Sequence, residues 1–314
     1  MKHDVKIVLV LLIMFVSTQL IGLYVIDAYS PHTITLPTGA NITKVNQIPY
    51  GMQPPEMAPQ ISLMTILISL TIAIIIMLLL MRFRSRIAIR LWFMLVIFIT
   101  LAISINAIFL QLFPEATIGF DTIALVVALP LTFYKVFRKN LLVHNFTELL
   151  IYPGLAVLFV PILNVTTTLI LLALISVYDF FAVIKSRFMV EMAKFQIKKV
   201  GIFSGFFVPY MTSKTKRMFE KLKVKNVKNL KLGETEKKIP ISVAILGGGD
   251  IAFPLIFAGV IMKTSGLLGA LIVITAASLG LLSLFIIGKK GKFYPAMPFI
   301  TAGAVIGWLI TLLL

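Results

Sequence analysis

Asp179 and Asp250 sit inside long apolar runs, LLALISVYDFFAVI and ISVAILGGGDIAFPLIFAGVIM. A carboxylate in hydrocarbon costs roughly 3 kcal/mol on insertion scales, so an acid that persists there is a functional candidate. Two such groups at matched depth could share one proton and activate one water, which is acid–base hydrolysis. The same pair could instead form a proton path in a transporter, or serve as structural hydrogen-bonding groups. Their neighbours separate these readings.

Gly247, Gly248 and Gly249 precede Asp250. Glycines inside a span cost helix stability but let another backbone approach closely. On a helix, Gly247 and Asp250 share a face, so the spacing predicts an open slot beside the carboxylate for a substrate peptide or a loosened helix. Helix–helix packing would use the same glycines. A third element is Pro295-Ala296-Met297-Pro298. Prolines remove backbone donors and disfavour helix in the residues before them. Irregular backbone inside a membrane survives only against protein or a wet cavity. The segment is therefore expected to contact substrate near the depth of the two acids; a plain helix-start proline is the alternative.

The elements that must carry these residues are membrane spans. The chain has 314 residues, is 59% hydrophobic and only 13% charged, with a mean hydropathy of +1.03. Soluble folds carry about twice that share of charge, so the class is a polytopic membrane protein. Runs near the length a bilayer requires fall at about 5–24, 61–81, 88–112, 120–137, 142–163, 165–187, 241–262, 265–288 and 293–314. Nine spans of this kind leave no room for a separate soluble catalytic domain. The expected fold class is all-α.

Charge sets the orientation. The net charge of +17 would suggest nucleic acid in a soluble protein, but no groove of stacking aromatics accompanies it, and no nucleic-acid partner is expected. Of the 29 Lys and Arg, 27 fall on one side of the nine-span arrangement, and only Lys44 and Lys263 on the other. By the positive-inside rule the amino terminus is cytoplasmic and the carboxyl terminus outside. Asp179 precedes Lys185 by six residues, or ~9 Å from the inner boundary. Asp250 lies about eleven residues beyond Ile239, or roughly 16 Å. An unwound start to the seventh span would close that gap.

Three parts follow: residues 1–187 with six spans, a basic cytoplasmic loop at 188–240, and residues 241–314 with three spans. In the loop, FMVEMAKFQIKK reads as an amphipathic surface helix, 200–209 as a short buried or interfacial apolar stretch, and 214–238 as a solvated linker. The remaining ten Asp and Glu, Glu148 among them, are assigned to span ends or loops. Asn-X-Thr triplets at Asn145 and Asn164 lie near or within the membrane and are read as incidental.

Other chemistries lack their residues. Cysteine is absent, which excludes disulfides and thiolate catalysis. His3, His32 and His144 offer no ligand pair and no HExxH occurs, so no metal or other cofactor is expected. Ser204 in the basic loop has no histidine partner for a serine-protease arrangement.

Tyr178-Asp179, Gly247 to Asp250 and Pro295-Ala296-Met297, in this order, resemble the presenilin and signal peptide peptidase family of intramembrane aspartyl proteases. They match the YD, GxGD and PAL motifs of its sixth, seventh and ninth spans, and the resemblance covers essentially the whole chain. Met297 replaces the usual leucine, a similar-sized apolar residue, which bears at most on substrate preference. The small size and the lack of a large external domain look like the archaeal homologues, which implies a prokaryotic cell membrane. The resemblance implies cleavage of peptide bonds within transmembrane segments or signal peptides. Asp179 and Asp250 would be the catalytic pair, and Tyr178, Gly247, Gly249, Pro295, Ala296 and Met297 would be motif or substrate-contacting residues. Its partners would be transmembrane substrates and the bilayer, with homo-oligomerisation left open. Prepilin-type peptidases also use GxGD but have fewer spans. A proton- or cation-coupled transporter is the alternative from another class; it predicts inverted repeats, which are not evident.

Overall fold

The computed structural model describes residues 5–35, 41–44, 46–53, 59–82, 86–114, 119–138, 140–185, 204–210, 242–288 and 294–314. Among these, the helices are α1 (Val5–Asp27), α2 (Pro59–Arg82), α3 (Arg86–Leu112), α4 (Phe120–Phe137), α5 (Leu141–Phe159), α6 (Val165–Phe180), α7 (Gly248–Ile287) and α8 (Met297–Thr311). Six are long and apolar enough to cross a membrane. They are apolar around most of their circumference, as helices in lipid must be. Leu9, Ile13 and Leu20 of α1 and Val126, Leu129 and Phe133 of α4 point outward, away from the protein core.

Helix starts are set by side chains that satisfy unpaired N–H groups. The Asn140 side chain accepts from the N–H groups of Leu142 and Val143 at the head of α5. Asn164 and Thr167 form a reciprocal capping box at the head of α6. The Asn164 triplet is thus a helix start. A straight α7 of 40 residues would run ~60 Å, twice the bilayer core. Gly266 breaks it, at φ 72° and ψ −176°, a backbone state that glycine adopts at no steric cost.

Two antiparallel strand pairs qualify the all-α expectation, which holds for most of the described residues. β1 (His32–Thr35) pairs with β2 (Asn41–Lys44). β3 (Gly205–Tyr210) pairs with β4 (Ser242–Gly247), with Gly205 opposite Gly247 and Tyr210 opposite Ser242. The stretch expected to begin the seventh span is therefore a strand, and helix starts only at Gly248. Bonding to a neighbouring strand satisfies this backbone where β-branched and aliphatic residues favour extension. The surface helix expected at 188–199 and the linker at 214–238 lie outside the described residues.

α1, α5 and the first arm of α7 share a core that contains Phe15, Leu255, Phe257 and Phe206 of β3, all fully buried. α3 packs on α4 and α5, while α6 rests on α7 and α8 with α2 alongside. The second arm of α7 and α8 approach backbone to backbone. A Cβ on Gly303 would strike the Ala276 carbonyl, and one on Gly307 would lie 2.9 Å from the Val273 Cα. At the other end, the Asn106 amide donates to Asp121 Oδ1 at 2.7 Å, and the Tyr50 hydroxyl donates to the Asp121 carbonyl at 2.8 Å. Burial, then the Asp121 charge, pushes the Tyr50 phenol up to about 12, so it stays a donor.

Candidate active site

Asp179 is the penultimate residue of α6, with only 4% of its surface exposed. Its Oδ2 accepts the Met297 N–H at 3.2 Å, and the Ala296 N–H also donates to the carboxyl. Sequence explains these donors. α8 begins at Met297 with Ala296 as its cap, and the first N–H groups of a helix have no partner within it. Pro295 and Pro298 carry no N–H at all, so Ala296 and Met297 supply the free donors. Ser176 Oγ also donates to Thr301 Oγ1 at 2.8 Å, a second tie between α6 and α8. Beyond Asp179 the helix widens into a π turn at Phe181–Lys185, a feature frequent at functional sites.

Asp250 is the third residue of α7 and lies in its first turn. The N–H of Gly247, the last residue of β4, donates back to its carboxyl. The Asp179 carboxyl lies within electrostatic reach of Asp250. From α1, the Gln19 amide donates to the Ile251 carbonyl at 2.9 Å and fastens this first turn.

The glycines divide by what faces them. A Cβ on Gly247 would lie 3.1 Å from Asp250 Oδ2, so the space expected for a foreign peptide holds the carboxylate of Asp250. One on Gly248 would meet Ser204 Oγ at 2.7 Å and the Tyr152 hydroxyl at 2.8 Å. Gly249 is exposed, and a Cβ there would meet only the Phe253 ring, at 3.5 Å. The structure thus brings together Asp179, Asp250, Gly247, Ala296 and Met297, with Pro295 buried behind them and Gly249 at the rim. The Tyr178 ring beside Asp179 is 44% exposed and turns outward. The Ala296 and Met297 donors, expected to face a substrate, are engaged by Asp179.

Sequence reasoning missed the layer behind the acids. Glu148 is fully buried in α5, not at a span end, and its Oε1 lies 2.5 Å from Lys135 Nζ of α4. Lys135, counted above among the residues of the basic face, is buried as well. Tyr152 donates to the other Glu148 oxygen and lies within electrostatic reach of Asp250. The available signal was one acid and one base of opposite sign on consecutive apolar helices.

A carboxyl near the end of α6, held by two backbone N–H groups, thus lies within electrostatic reach of a second in the first turn of α7, held by one, among helices apolar enough to cross a membrane. The family described as signal-peptide peptidase, presenilin aspartyl protease matches residues 43–314. The chain belongs to this family. Two solved structures of a presenilin family intramembrane aspartate protease, in C222 and P2 space groups, are similar in fold. The first has a TM-score of 0.63 at 17% identity and covers 98% of both chains. The second has a TM-score of 0.59 at 18% identity and covers 96% of both. No curated protein matches the sequence. The protein is an intramembrane aspartic protease, and nothing supports the transporter alternative.

Proposed function

We propose that Asp179 and Asp250 are the catalytic pair of this endopeptidase. The observation that carries the assignment is their approach across α6 and α7, with Asp179 held by the Ala296 and Met297 N–H groups. Two neighbouring carboxyls in a low-dielectric site hold one proton between them. The ionised member takes a proton from water as the water attacks the scissile carbonyl carbon. The protonated member donates to the carbonyl oxygen, and the exchange reverses as the amine leaves.

A helical substrate must unwind to expose that bond, and its freed backbone groups need partners. β4 belongs to a two-stranded sheet with β3 on one side. A substrate strand added to its other edge would run toward Gly247 and bring its peptide bonds to Asp250. Gly249 would line this path.

Nine spans are counted with α7 taken as two across Gly266, and the one-sided distribution of Lys and Arg favours a cytoplasmic amino terminus and an outside carboxyl terminus. The three-part organisation at 1–187, 188–240 and 241–314 follows from the same count. Both acids come from one chain, so the reading requires no second copy. The test is release of cut peptide from a membrane-segment substrate by detergent-purified protein. Asp179→Ala and Asp250→Ala should each abolish release with the melting temperature retained. Activity surviving in either variant would remove that residue from the assignment.

A further inference from the structure

The edge of β3 away from β4 is occupied by side chains of α5. The Asn145 amide makes both bonds that a neighbouring strand would make to Phe207: Nδ2 donates to its carbonyl at 2.8 Å, and Oδ1 accepts its N–H at 3.1 Å. Two residues earlier in β3, the Gly205 N–H donates to Glu148 Oε2 at 3.1 Å. His144 Nε2 lies 2.8 Å from the Gly205 carbonyl. Lys135 Nζ sits 3.4 Å from His144 Nδ1. Lysine can only donate and a carbonyl can only accept, so Nδ1 accepts and Nε2 carries the ring proton. The chain of contacts continues to the site. The Ser204 carbonyl accepts the Gly248 N–H at 3.3 Å, and Ser204 Oγ lies 3.3 Å from the Tyr152 hydroxyl.

An isolated two-stranded hairpin is marginal. Here α5 acts as a side-chain third strand. Its alternating contacts at Gly205 and Phe207 follow the two-residue repeat of a strand edge. The Lys135–Glu148 pair fixes the carboxylate that makes one of them.

We propose that Asn145 and Glu148 are positioning residues that hold the β3–β4 hairpin formed before substrate arrives. β4 then presents its other edge, which pairs with no strand among the described residues, and Gly248 enters α7 in the register that carries Asp250. The inference rests on the reading that substrate adds to β4. A binding edge formed only part of the time would weaken apparent affinity by the missing fraction.

Hydrogen exchange and steady-state kinetics on the full-length protein in detergent test this. Asn145→Ala removes two hydrogen bonds and leaves no buried charge unpaired. It should speed exchange of residues 205–210 and 242–247 roughly tenfold. It should raise KM for a membrane-segment peptide by less than the exchange factor, in proportion to the fraction of hairpin lost at equilibrium, with kcat within about twofold of wild type. Combined with Lys135→Met, Glu148→Gln keeps the volume and one acceptor for Gly205 with no buried charge left unpaired, and this double variant should fall between wild type and Asn145→Ala in hairpin exchange. Unchanged hairpin exchange, exchange that rises through the helices as well, or a fall in kcat with KM unchanged would each overturn the proposal. Wild-type protein that fails to cleave would sink the protease reading, and the exchange measurement would still decide whether α5 holds the hairpin.

Discussion

Gly249→Ala separates a substrate path from simple packing. The added methyl would touch only the Phe253 ring, at 3.5 and 3.7 Å, which is ordinary van der Waals contact. It also removes a glycine from the first turn of α7, a change worth at most ~1 kcal/mol in favour of the fold. Melting temperature should therefore hold or rise. A substrate strand passing Gly249 at strand spacing would meet that methyl, at an overpacking cost of about 1–3 kcal/mol. In kcat/KM this is a loss of roughly 5- to 150-fold. The neighbouring Gly248→Ala is the contrast. Its methyl would sit 2.7 Å from Ser204 Oγ and 2.8 Å from the Tyr152 hydroxyl, and Tyr152 is tied to Glu148. That variant should lose stability by about 1–3 kcal/mol, with activity falling alongside. Thermal unfolding in detergent and cleavage of a fluorogenic membrane-segment peptide give both quantities. Wild-type kcat/KM in Gly249→Ala, or a loss matched by a fall in melting temperature, would refute the path.

The buried ion pair and the helix interfaces supply two further expectations. Lys135→Met should destabilise by about 3–5 kcal/mol because it strands the Glu148 charge, and Lys135→Met with Glu148→Leu should recover much of that in a melting comparison. Gly303→Ala should force α8 away from the Ala276 carbonyl of α7. The Met297 donor would move from Asp179 with it, so activity should drop at least tenfold, the worth of a hydrogen bond to a charged group of about 1.5–3 kcal/mol. Equal activity in Gly303→Ala would show that this interface does not set the site.

Composition and apolar run length were enough to read the class, because lipid forces every span to be long, apolar and internally hydrogen-bonded. Asp179 and Asp250 were legible for the same reason: an acid is conspicuous in hydrocarbon. The β3–β4 hairpin was not, since Ser242–Gly247 is as apolar as a span and a short run carries no period that separates strand from helix. Its partner strand lies more than thirty residues away in sequence, and pairing at that distance leaves no local mark. Glu148 and Lys135 were assigned to span ends and a basic face because each was weighed alone. By itself, then, the sequence determined a membrane-embedded protease with two acids on consecutive spans. Only the tertiary structure decided that the Pro-Ala-Met donors grip Asp179, that Asp250 opens a helix at the end of a strand, and that α5 props the strand beside it. Those are contacts between residues distant along the chain, and their geometry exists only once the helices have packed.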